Sequence, residues 1–117
     1  MGKIYKTLIF DNRISLAVLD TTDVVNEAIK IHGLSPVCAA ALGRTLTATA
    51  FMASCLKDEN SKLSVTIDGG GLGGKIVTAG NANGNVRGCI YNPQVDAPLK
   101  KNGKLDVSAV VGKNGYI

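Results

Sequence analysis

The stretch SPVCAAALGRTLTATAFMASCL, Ser35 to Leu56, decides the fold, because it carries a single charge, Arg44, in an otherwise small or apolar run. Ser35 offers an N-cap oxygen and Pro36 a pre-set first turn, so a helix is predicted over about residues 36–57. Some twenty such residues are long enough to cross a bilayer. Arg44 near the middle would cost about 2.5–3.5 kcal/mol there, and Ala, Thr and Ser return little. A helix apolar all round is instead expected between two layers of a globular domain. Gly43, Ala48, Ala50 and Ala53 would let a sheet approach closely, and Arg44 would need a buried or half-buried partner.

Upstream, Ile4–Phe10 and Ile14–Leu19 flank the polar turn Asp11-Asn12-Arg13 and read as a β-hairpin. Ile14, Leu16 and Val18 share one face, but Ala17 and Leu19 on the other are not polar, so both faces are expected to be covered. Thr21-Thr22-Asp23 supplies capping side chains, Val24, Val25, Ala28 and Ile29 form a helical stripe, and Gly33 supplies a left-handed stop. A helix over about residues 22–32 follows. His32, the one histidine, sits in its last turn, where a structural or solvent role is favoured over catalysis.

Downstream of Asp58-Glu59-Asn60 the pattern reads as β to the end. Leu63, Val65 and Ile67 alternate with Ser64, Thr66 and Asp68, a glycine loop follows, and Lys75–Gly80 and Val86–Tyr91 flank Asn83-Gly84, a hairpin signal in which both residues accept positive φ. Asn92-Pro93 and Ala97-Pro98 mark a loop. The class is α+β, a layered β/β/α domain with an N-terminal hairpin, two consecutive helices and a β-rich half.

The 117 residues are 45% apolar and 19% charged, which excludes a disordered chain. The net charge of +4 is spread out; Lys100-Lys101 with Lys104 is the one basic cluster, and a solvated loop is favoured over a nucleic-acid interface. Cys38, Cys55 and Cys89 fit neither a disulfide framework nor a zinc site, and are expected as buried or half-buried free thiols in a reducing cytoplasm. The N-terminus lacks a signal-peptide pattern, and Thr7 lies one place too late for the myristoylation motif after Gly2.

Asp68-Gly-Gly-Gly-Leu-Gly-Gly-Lys75 superficially matches two phosphate-binding patterns. Both require the loop to open a helix, whereas a β-like run follows and Ile76 stands where Ser or Thr should reach Mg²⁺. A phosphate- or nucleotide-binding domain on Asp68–Lys75 remains the alternative reading, and a weak nucleic-acid module another. No nucleophile–base set can be assembled, so no catalytic, cofactor or metal residue is assigned and a non-enzyme is expected.

Asp20-Thr21-Thr22, Leu34-Ser35-Pro36, Ala41-Leu42-Gly43-Arg44-Thr45-Leu46-Thr47-Ala48, Ala82-Asn83-Gly84-Asn85-Val86-Arg87-Gly88, Asn92-Pro93, Gly103-Lys104-Leu105-Asp106-Val107 and Val111-Gly112-Lys113-Asn114-Gly115 stand in one order along the whole chain. Together they resemble the heat shock protein 33 family of redox-regulated holdase chaperones. The resemblance implies a cytoplasmic, ATP-independent chaperone that binds unfolded or partly unfolded client proteins under oxidative and heat stress. It implies homodimers in some members, and no membrane partner. It implies zinc only in a C-terminal module whose C-x-C and C-x-x-C pairs are lacking here, so no metal or disulfide role passes to Cys38, Cys55 or Cys89. Residues 1–117 are expected to be an N-terminal part of such a core, cut short: Asn114-Gly115 reads as a turn and Tyr116-Ile117 as the first residues of a strand. Client-contacting residues are not assigned.

Overall fold

The computed structural model describes residues 2–117. Strands β1 (Lys3–Ile9) and β2 (Ile14–Asp20) precede helices α1 (Thr22–His32) and α2 (Pro36–Ser54). Strands β3 (Lys62–Gly70), β4 (Ile76–Asn81) and β5 (Val86–Ile90), helix α3 (Val107–Val111) and strand β6 (Gly112–Tyr116) follow. The α+β reading holds: β1 and β2 form a two-stranded sheet, and the other strands a four-stranded antiparallel sheet in the order β5-β4-β3-β6.

Helix α2 starts as its sequence dictates, with Pro36 in the first turn and the Ser35 hydroxyl accepting from the Cys38 amide at 3.3 Å. It ends at Ser54, three residues short of the expected 57. The same Ser35 hydroxyl donates to the Val95 carbonyl at 2.6 Å, and the Ser35 amide donates to the Pro93 carbonyl at 2.9 Å, tying the proline loop to the helix start. Helix α1 closes on Gly33 in the left-handed region (φ 62°). Its start differs from expectation: Thr21 makes no capping bond, and Asp20 accepts instead from the Thr22 hydroxyl (2.8 Å) and amide (3.1 Å). Those bonds, the hydroxyl's first, hold the Asp20 carboxyl below its usual range.

The core lies between α2 and the four-stranded sheet, with α1 and α3 packed against α2. Val37, Cys38, Leu42 and Leu46 are fully buried with Ile76, Ile90 and Val110. Small residues permit the close approach at particular points. A Cβ on Gly80 would meet the Ala53 methyl at 3.0 Å, and one on Gly88 would meet the Thr78 methyl at 2.6 Å. Gly43 faces Val25 of α1 and not the sheet.

Three expectations are corrected. Arg44 is exposed, along with Ala48, Phe51, Met52 and Cys55 on one stripe, because the sheet covers only the opposite side of α2. Residues after 60 are not all β: Asp106 accepts from the Ala109 amide at 3.3 Å and starts the one-turn helix α3. Lys113–Tyr116 continue as β6, with Tyr116 paired to Asp68, so Asn114-Gly115 is no turn. The β4–β5 hairpin forms as expected. However, only Gly84 has positive φ (89°), and the Asn81 side chain organises the turn by accepting from the Asn83 and Asn85 amides.

Two buried hydroxyls link α2 to the sheet. Thr49 Oγ1 donates to the Thr45 carbonyl at 2.8 Å, so in its 2.6 Å bond with Thr78 the donor is Thr78. Thr49→Val therefore strands a buried hydroxyl and should lower stability by about 1–3 kcal/mol, whereas Thr78→Val leaves Thr49 satisfied and should cost about 1 kcal/mol. Urea unfolding checks this, with the double variant expected close to Thr78→Val; equal costs for the two single variants would contradict the assignment.

Candidate functional site: an uncovered apolar sheet

The residues singled out in the sequence do not assemble into a catalytic or phosphate site. The glycine loop is followed by β4, and three of its amides are already spent: Leu72 donates to the Ala109 carbonyl, Gly73 to that of Val110 and Gly74 to that of Gly71. Gly69 and Gly71 lie against the backbone of Val110–Gly112, where no Cβ fits. The glycines thus serve the contact between the β3–β4 connection and α3–β6. His32 is half-buried, and no side-chain hydrogen bond among the described residues joins it to a nucleophile.

Cys38 is buried, 3.4 Å from the Asn92 carbonyl and 3.6 Å from that of Val95; Cys89 is half-buried and Cys55, against expectation, is exposed. Among the described residues no group of three His, Cys, Asp or Glu could hold a metal ion, so these residues do not fit zinc. Lys100 and Lys104 share an open cavity of about 560 Å³ with Arg44 and Asp106, a convergence that no local sequence signal announces.

The feature that stands out is the β1–β2 hairpin. Its register places Tyr5, Thr7, Ile9, Ile14, Leu16 and Val18 on one face. Tyr5 is 61% exposed, Leu16 45% and Val18 56%, so the expectation that both faces are covered fails. The other face turns toward α2. There Lys6 Nζ donates to the Ser54 carbonyl at 3.2 Å and lies 5.9 Å from the centre of the Phe51 ring. At the hairpin base, Thr21 and Thr47 hydroxyls meet at 2.6 Å. Phe10, at the tip, is 70% exposed and holds φ at 51°, followed by Asp11 and Asn12 at 55° and 65°. Asp and Asn tolerate that region, but a bulky aromatic there is strained.

A two-stranded sheet with a bare apolar face is marginal in water by itself, and contiguous exposed apolar surface marks interaction sites. The single-sequence pattern could supply the strands but not the emptiness of the space over them. Leu16→Thr with Val18→Thr should reduce binding of a hydrophobic dye such as bis-ANS while changing unfolding free energy by only about 0.5 kcal/mol; unchanged dye fluorescence would show that the face is covered.

Comparison with known proteins places this architecture. The family model described as "Hsp33 protein" matches residues 2–117. The "33 kDa chaperonin" of Bacillus pumilus (strain SAFR-032) is 47% identical over 117 residues, all of this chain and 40% of that protein. That of Clostridium tetani (strain Massachusetts / E88) is 44% identical over 98% of this chain and 39% of its own length. The crystal structure of the 33 kDa chaperonin (heat shock protein 33 homolog) from Thermotoga maritima superposes with a TM-score of 0.85 at 31% identity, covering 93% of this chain and 37% of that one. The chain thus spans about two-fifths of the length of the relatives it matches. On the family match and the shared fold, the chain belongs to the Hsp33 protein family.

Proposed function

We propose that this chain acts in an ATP-independent holdase chaperone of the cytoplasm, binding unfolded or partly unfolded proteins under oxidative and heat stress. The observation that carries the reading is the hairpin face of Tyr5, Ile14, Leu16 and Val18, an apolar β surface left open to solvent. Non-directional apolar burial suits a binder of many unrelated unfolded chains, because it asks only for exposed side chains in return. The naming of the relatives as 33 kDa chaperonins supports the same reading.

In this reading a second copy is a further partner, since the hairpin offers two edge strands as well as a face. Redox control is, in this reading, assigned to no residue of this chain. Cys38 is held in the core, Cys89 is half-buried and Cys55 is exposed, and all three are free thiols.

Aggregation of a heat-denatured client, followed by light scattering, tests the proposal. Molar excess of the chain should suppress scattering, and the Leu16→Thr/Val18→Thr variant should suppress it less. Peroxide should leave the effect unchanged, as should replacing all three cysteines by Ser. No suppression by the chain at any excess would contradict the proposal.

A further inference from the structure

The four-stranded sheet ends at β5, and the phase of its ladder shows what that edge offers. Asn81 N–H donates to the Asn85 carbonyl and Tyr91 N–H to the Lys75 carbonyl. Residues 85, 87, 89 and 91 therefore turn their backbone groups toward β4, and Val86, Gly88 and Ile90 turn theirs away from it. Helix α1 runs beside this edge, and between them lies a cavity of about 410 Å³. Its floor is apolar, with Ala28 and Leu46; its strand wall is Val86, Arg87 and Gly88. Its helix wall carries Asp23 and Glu27, both exposed and one turn apart.

We infer that the groove between α1 and the β5 edge takes an extended peptide segment as an added strand. The outward N–H and C=O groups of Val86 and Gly88 pair with its backbone. An apolar side chain enters the floor over Ala28 and Leu46, and a basic residue at its flank meets Asp23 and Glu27. Strand addition of this kind takes its affinity from main-chain pairing and its selectivity from alternate side chains. The groove's two carboxylates outnumber the one guanidinium of the lining, that of Arg87, which favours cationic over acidic segments. The inference deepens the chaperone reading, on which it rests, by giving the client a conformation and a charge: an extended, apolar, lysine- or arginine-flanked stretch.

The test uses the full chain, labelled with ¹⁵N, and the peptide acetyl-Lys-Val-Thr-Val-Thr-Val-Lys-amide. Its amide shifts should move at Val86–Ile90 and along α1. Two further peptides carry N-methyl groups on either the valine or the threonine nitrogens. One of them should lose about tenfold in affinity, having lost its inward donors, while the other binds as before. Glu27→Lys should weaken the parent peptide about fivefold. Equal binding of both methylated peptides, or shifts confined to Lys3–Asp20, would overturn the groove while leaving the chaperone reading standing. No shift anywhere in the chain would overturn both.

Discussion

The close approach of α2 to the four-stranded sheet is the constraint on which the rest depends. A helix can lie this near a sheet only where facing residues are small, and here Ala53 meets Gly80 while Gly88 makes room for Thr78 and Leu46. The Thr49–Thr78 hydroxyl pair fixes the register of helix on strand inside that dry contact. Once α2 is seated, the proline loop is tied to its start through Ser35, α1 packs on it through Val25 and Gly43, and α3 closes the end of the core with Val110. A side chain at Gly88 would push against β4 and α2 together, so the fold tolerates none there.

The same arrangement explains what is left over. The sheet covers one side of α2 only, which leaves Arg44 solvated and Phe51 and Met52 on an open stripe. The hairpin rests on that stripe by one face and by its base, and its second face leaves Tyr5, Ile14, Leu16 and Val18 exposed. A core built from small residues with few aromatics therefore coexists with aromatic and branched residues held outside it. Such an open apolar sheet suits the proposed binding of unfolded chains.

Much of the fold was legible in the sequence because its signals are local. Ser35-Pro36, Gly33 and the Val24–Ile29 stripe placed both helices, with α1 ending where expected and α2 three residues early. Turn chemistry placed the hairpins. What was not legible depends on neighbours. Alanine and threonine are equally at home inside or at a surface, so an alanine- and threonine-rich helix reads as buried all round when it is covered on one side. Helix α3 is a single turn, too short for periodicity, although Asp106 three residues before Ala109 was a capping signal. The glycine loop resembled a phosphate cradle in its spacing; the structure gives those glycines to the backbone of residues 110–112. The β5–α1 groove joins residues some sixty positions apart, and no local pattern announces it.

Hydrogen–deuterium exchange on the chain with and without a permanently unfolded client, such as a reduced and alkylated protein, tests the central claim most directly. Exchange should slow across Lys3–Ile9 and Ile14–Asp20 when the client is present, while the amides of α2, already protected by the core, stay as they are. Hairpin exchange that is unchanged by saturating client would contradict the claim that the uncovered sheet is where unfolded chains are held.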